Sequence, residues 1–443
     1  MVLRQRWIGW GVVLLLIWGG GLLAAACSPS SPSWQEISAK VATFTPTPAL
    51  KSSPILIGAT SEPAVSGGTS EAAASDVVPA SALAEATQPL RTPVGMRTPV
   101  VVTYRTPEAT RTPTRTPTAA APTPTPTVVI PERPEGENPL TGLIVSDPGV
   151  LKRRPIAVRV GNDPGARPQA GLMSADVVYE EIVEWWVTRF TAIYLSEDPQ
   201  VVAPIRSARL INAQLTMQYQ AALASSGGSD GVRWELSQLP IVNLDEYFYP
   251  QPYFYRKNEN WQRRLALDVS AARALMAKKN MEAPVVLRGF IFSDTPVGGQ
   301  KAETIFIPYP RRTSLTLWRY DPSRERYLRW VAGEPLLDAT TQQQIAAANV
   351  IVYYAPHEPT DIVEDSKGAT SIRIIVNGEG RVQVFRDGVV MEGLWRTDGT
   401  QTPEFVFPNG EPIPLKRGNS WIEVVPPEYQ VLVNATPTPA SGG

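Results

Sequence analysis

The chain has 443 residues, 43% of them apolar, and its 41 lysines and arginines nearly cancel its 42 aspartates and glutamates, which excludes a strongly basic nucleic-acid-binding protein. Its 44 prolines are about twice the ordinary share of roughly 5%, so much of the chain is spacer rather than core. One cysteine excludes an internal disulfide framework and a multi-cysteine metal site, and one histidine, His357, leaves no multi-histidine zinc site; no cofactor or metal is expected.

Residues 1–27 read as an export signal, with Arg4 and Arg6 before an apolar run from Ile8 to Leu23 and small residues Ala24, Ala25 and Ala26 before Cys27. The run resembles the lipobox of bacterial lipoproteins, whose cysteine is lipidated and becomes the mature N-terminus. Cys27 is therefore expected to be the lipidation site, with the body held outside the cytoplasmic membrane. A retained transmembrane anchor is the alternative, since the run approaches the roughly 20 residues needed to span. Residues 28–136 are rich in Pro, Thr, Ser and Ala, with Arg-Thr-Pro recurring at Arg91, Arg97, Arg105, Arg111 and Arg115. Such a segment buries too little apolar surface to offset the entropy of ordering, so a disordered stalk is expected.

The folded body is expected to be α+β: a mixed α/β domain over 137–286, then a small antiparallel all-β domain over 287–428 closed as a sandwich or partial barrel, then a disordered tail over 429–443. Ile156 to Val160 reads as a strand, and VVYEEIVEW with WVTRFTAIYL as a hairpin bending at Trp185 and Trp186. A helix follows with Leu210, Leu215 and Met217 on one face and Ser207 as candidate N-cap; shorter helices are expected near Trp234–Leu239 and in DVSAARALMAKKN. Beyond Leu287, short runs rich in β-branched residues are separated by Asn377-Gly378, Asp387-Gly388, Asp398-Gly399 and Asn409-Gly410, the pairs that tight turns need for positive φ.

The segments NDPGARPQAGLMSADVVYEE, VTRF, PIRSAR and GGS, with RVQVFRDGVVMEGLW and GNSWIEVVP further on, resemble in order the YerB-like family of bacterial lipoproteins over roughly Asn138 to Pro426. The resemblance implies a membrane-anchored, two-domain envelope protein of unassigned activity. Three positions depart from the family pattern: Ser225 stands where a histidine is common, RRLALDVS where Pro-His-Asn is common, and Trp185-Trp186 where Gly-Gly is common.

Charged residues within apolar or turn-forming stretches are the candidates for chemistry. Asp163 and Arg167 in the NDPGARPQ turn, Arg189 on the second hairpin strand, and Arg206 and Arg209 beside a helix start form a candidate anion-binding set, because arginine forks match carboxylate or phosphate. Pairing of Arg206 and Arg209 with Asp163, Asp176 or Glu180 in a structural ion network is the alternative, and for Asp163 and Arg167 a turn-stabilising pair. Asp163, Glu180 and Glu184 are the carboxylates for an alternative reading as a wall-polymer hydrolase, Glu180 and Glu184 falling on one face of a strand. His357 with Glu358, Asp361, Glu364 and Asp365 matches no standard cation loop, so a solvated acidic loop is expected there. The aromatic run of Tyr247, Phe248, Tyr249, Tyr253, Phe254, Tyr255 and Trp261 reads either as a sugar-stacking platform or as an interdomain contact. The function expected from these features is non-catalytic binding or scaffolding, with a cell-wall glycan, an anionic group or another envelope protein as partner, the membrane reached through the N-terminal lipid, and no nucleic acid.

Overall fold

The computed structural model describes residues 131–435. The expected signal peptide, Cys27 and nearly all of the stalk lie outside the described residues. The first half supplies strands β1 (Ile156–Gly161), β2 (Val177–Ile182), β3 (Thr188–Tyr194), β4 (Ala222–Ser225), β5 (Val242–Asp245), β6 (Tyr253–Tyr255) and β7 (Leu265–Leu267), with helices α1 (Leu210–Gln218), α2 (Asp230–Ser237) and α3 (Val269–Lys278). The second half is built of strands β8 (Gln300–Lys301), β9 (Thr304–Ile307), β10 (Thr316–Asp321), β11 (Arg326–Val331), β12 (Glu334–Pro335), β13 (Ala346–Ala347), β14 (Asn349–Tyr354), β15 (His357–Val363), β16 (Thr370–Ile374), β17 (Gly378–Arg386), β18 (Val389–Thr397), β19 (Glu404–Val406), β20 (Ser420–Val425) and β21 (Leu432–Val433). The body is α+β, as expected.

An 11-stranded sheet in the order β19-β18-β17-β14-β20-β2-β3-β1-β4-β5, with β8 beside β18, runs through both halves. The joint is β2 against β20, paired in parallel from Val177 opposite Ser420 to Glu180 opposite Glu423. A second sheet, β12-β11-β10-β9-β21 with β13 on β11, comes wholly from the second half. The second half therefore does not close on itself as a small antiparallel unit. Its β14 and β20 pair in parallel, and the sandwich forms between its own smaller sheet and a large sheet shared with the first half. The cause is the apolar content of β14 and β20, buried at all six positions each, which requires cover on both faces.

One core lies between the sheets, where Val158, Phe190 and Trp421 meet Trp318 and Tyr327; another lies under α1, where Ile211, Leu215 and Tyr219 cover Ala157, Tyr179 and Ile193. The β2–β3 hairpin turns at Trp185 and Trp186, with φ of 61° and 60°, and Asp387-Gly388 turns β17 into β18 with φ of 51° and 74°. The tail begins later than expected: Leu432 and Val433 pair with β9, and Tyr429, Val431 and Val433 pack on the core. At the front, Arg133 already donates to the carbonyls of Arg288 and Phe290, so the body reaches back before 137.

Candidate functional site

Strands β1, β2, β4, β5, β14 and β20 point the same way, so their carboxyl ends share one rim of the large sheet, the place where connecting loops converge to form sites in such sheets. The chain enters the body at the other end, where Asn138 donates to Asp176 just ahead of β2 at 2.6 Å. The rim carries the loop Asn162–Arg167 after β1, the Trp185-Trp186 turn after β2, Ser226–Ser229 between β4 and α2, Glu246–Tyr249 after β5, and the β15–β16 hairpin after β14.

The candidate arginines, with Asp163 and Glu184, lie at this rim in two layers. Nearest solvent is Arg206, whose Nε lies 3.5 Å from an Asp163 carboxylate oxygen and whose Nη2 donates to the carbonyl of Gln262 at 2.7 Å. Burial lowers the Arg206 pKa, with Asp163 opposing it, but the two side chains keep 19% and 30% exposure. Arg167 is taken up by structure, donating to Asn162 and to the carbonyl of Thr313, and burial with the charge of Arg329 lowers it to about 10.

Beneath them, on the α1 face, lies a buried ion cluster. Arg159 is paired with Glu181. Glu184 accepts from Arg189 at 2.7 Å and from both Nε and Nη2 of Arg209. Burial alone would raise the Glu184 pKa, yet the two arginines bring it down to about 2. Burial and the charge of Arg209 lower Arg189 to about 9, and burial dominates over Arg159 in raising Glu181 to about 7. The residue before α1 is Arg209, so Ser207, two residues earlier, does not cap the helix; its carbonyl accepts instead from Arg159 and Arg189. The backbone N–H of Ala208, bonded to Gly227, keeps the chain extended until Arg209, and the Asn212 side chain accepts from the Arg209 N–H at 2.7 Å.

Glu180 and Glu184 do not share a face. Strand β2 ends at Ile182, and a turn carries Glu184 to the α1 side, while Glu180 faces the second sheet. There Glu180, at 0% exposure, accepts from Asn162, Thr188 and Arg329. Arg329 also donates to Glu423 at 2.8 Å and is ringed by Trp421, Trp318 and Phe190 at 4.8, 5.1 and 5.6 Å. Trp318 and Tyr309 donate to Glu423, whose pKa burial and the neighbouring Glu180 raise to about 8. One cation thus serves two carboxylates between the sheets. Asp176, the remaining proposed partner of the arginines, instead accepts from Asn138, Ser196 and the N–H of Leu195, at the far end of the sheet.

The aromatic run divides. Tyr253 is buried, its hydroxyl donating to the Leu244 and Ser225 carbonyls, which seats the β6–β7 hairpin over the carboxyl ends of β4 and β5. Tyr247, Phe248, Tyr255 and Trp261 stay 60–75% exposed, and Trp185 and Trp186 are 47% and 60% exposed. The His357 ring donates from Nδ1 to the Ala355 carbonyl at 2.8 Å, and Glu364 pairs instead with Arg209.

Residues 140–282 match the N-terminal domain of a family described as "Protein of unknown function (DUF3048)", and residues 305–422 match its C-terminal domain. "Putative lipoprotein YerB" of Bacillus subtilis (strain 168) is 30% identical over 296 residues, covering 65% of this chain and 86% of that protein. The chain belongs to the YerB-like family. The crystal structure of the YerB protein from Bacillus subtilis matches 67% of this chain and 99% of that chain, at 25% identity and a TM-score of 0.59. Both matched domains of this YerB-like chain contribute to the charge cluster between the sheets, Glu180 from the first and Arg329 from the second, with Glu423 one residue past the second match. Sequence reading missed Arg159, Glu181, Arg329 and Glu423, for which the only signal was a charge at an inward position of an otherwise apolar strand. It placed Glu364 in a solvated acidic loop; instead the segment forms the β15–β16 hairpin, and the Glu364 side chain, 1% exposed, is drawn inward by Arg209.

Proposed function

We propose that this protein is a lipid-anchored, extracytoplasmic envelope protein, attached at Cys27, that binds a cell-wall glycan carrying an anionic group at the rim opposite its point of entry. The observation that carries the reading is the exposure of Trp261 and Tyr255, at 75% and 60%, on the hairpin whose Gln262 carbonyl holds Arg206. Large aromatic faces left in water mark contact surfaces. Their flat apolar faces suit sugar rings, while Arg206 supplies a cation for a carboxylate or phosphate and Asp163 an acceptor for hydroxyls. An ion pair at 3.5 Å and partly in water is held weakly and exchanges readily with a ligand. The family relative's name as a lipoprotein and the signal-like Cys27 segment support the location.

The test is titration of soluble wall fragments against intrinsic tryptophan fluorescence. Saturable quenching that Trp261→Ala removes supports the site; a response unchanged by Trp261→Ala and by Arg206→Ala places the ligand elsewhere.

A further inference from the structure

The buried cluster under α1 carries a charge imbalance that the rim does not. Arg159, Arg189 and Arg209 face Glu181 and Glu184, leaving one positive charge over. That charge is answered by Glu364, which comes from the tip of the β15–β16 hairpin in the other matched domain. Its Oε2 lies 3.3 Å from Arg209 Nη1 with the side chain only 1% exposed. Among the described residues neither Glu364 oxygen makes a hydrogen bond, and Arg189 Nε, Arg159 Nη2 and one Glu181 oxygen also lack partners. A carboxylate taken out of water without hydrogen bonds is the costly case, since coulombic attraction alone does not replace lost hydration. Glu184, by contrast, is gripped through both oxygens. Glu364 is therefore the weakly held carboxylate of the set.

The element that delivers it is built separately from the sheets. Strands β15 and β16 pair only with each other, with a register break between Pro359 and Val363. The tip is fastened by Asp365, which accepts from the Trp185 indole at 2.7 Å, and further back by Arg373 on Glu235 and by Ile362 against the small α2 core. With the hairpin in place, Arg189 and Arg209 are 11% and 7% exposed, and Glu364 is the hairpin's charged contact to Arg209.

We propose that Arg189 and Arg209 form a second, closed binding site for a carboxylate, that Glu364 occupies it as an internal ligand, and that the β15–β16 hairpin must lift for an external carboxylate to enter. A carboxylate is assigned because the present occupant is one, set against Arg209 beside Arg189, and because guanidinium groups pair with carboxylates. The external ligand and Glu364 compete for the same charge, so any change that weakens hairpin closure strengthens ligand binding, and a ligand that needs the open form binds in proportion to its population. This site is distinct from the Arg206 rim and does not depend on it.

The experiment uses the full chain purified in detergent, with glucuronate as probe, glucose as the neutral control and inorganic phosphate as the contrasting anion at matched ionic strength. Glu364→Gln removes the competing charge and keeps the shape; Asp365→Asn loosens the latch without touching the pocket. Both are expected to bind glucuronate more tightly than wild type, Glu364→Gln by at least tenfold, with no response to glucose, and hydrogen exchange of the 357–374 backbone is expected to rise on binding. The effect should persist when Arg206→Ala and Trp261→Ala are added, which separates it from failure of the rim reading. If Glu364→Gln does not fold, Asp365→Asn decides alone. No tightening in the folded variants, phosphate binding tighter than glucuronate, or binding without faster hairpin exchange overturns the proposal.

Discussion

Replacing Arg329 by Met removes the single cation shared by Glu180 and Glu423 while keeping most of the side-chain volume. All three residues are fully buried, and Arg329 bridges the two sheets through 2.5 and 2.8 Å bonds within a ring of three aromatic faces. Without it Glu180 must either stay charged and unpaired or take up a proton against its own donors, Asn162 and Thr188. Removing one partner of a buried pair costs about 3–5 kcal/mol, a large share of the roughly 5–15 kcal/mol that holds a domain folded. The deficit relative to wild type should shrink as pH falls, because protonation then neutralises both carboxylates at little cost. Arg329→Lys, which keeps the charge but not the two-armed reach, should fall between. Urea unfolding of the 131–435 body at pH 8 and pH 5 measures all of this. A loss below about 1 kcal/mol at pH 8, or one that grows on acidification, would refute the claim that this pairing ties the halves together.

Two carboxylates should tilt the pH profile in opposite senses. Glu184, lowered from 4.5 to about 2, contributes fully above 4.5 and is lost as pH falls toward 2; Glu423, raised from 4.5 to about 8, contributes fully below 4.5 and is lost as pH rises through 8. Urea midpoints should therefore peak near pH 5, with Glu423→Gln flattening the upper limb; a wild-type midpoint that climbs from pH 5 to pH 8 contradicts the assignment. Trp186 sits at φ 60° with no side-chain hydrogen bond and 60% exposure, so Trp186→Gly should raise stability by about 1 kcal/mol by relieving left-handed strain. A lower melting temperature would mean that the indole packs usefully. For the anchor, radiolabelled palmitate should enter the wild-type chain and not Cys27→Ser, and an unlabelled wild type would sink the lipid attachment.

What could be read from the sequence followed local rules. The Asp387-Gly388 hairpin was legible because positive φ is encoded in its two turn residues, the β2–β3 hairpin because two β-branched, aromatic runs flank a short break, and α3 because its apolar period and terminal lysines agree. The parallel joining of β2 to β20 was not, since it pairs residues as far apart in the chain as Val177 and Ser420, on apolar strands that carry no mark of their neighbours. The unbroken burial of β14 and β20 does call for cover on both faces, but the apolar runs do not say which strands or sheet supply it. The arginines of the candidate site were found because they stood out among turn residues. Their partners were misassigned: Arg209 takes Glu184 and Glu364 rather than Asp163, Asp176 or Glu180, because β2 ends before Glu184 and lets it swing to the α1 face. Only Arg206 keeps the expected partner, Asp163, and only that pair retains access to solvent.

The claim that the exposed rim is a binding surface for wall glycan is tested most directly by co-sedimentation of the 131–435 body with purified, protein-free cell wall. The wild type should pellet with the wall and be competed off by soluble fragments, while the Arg206→Ala, Trp261→Ala double variant, melting within about two degrees of wild type, should stay in the supernatant. Equal pelleting of the two proteins, or none by either, would contradict the account.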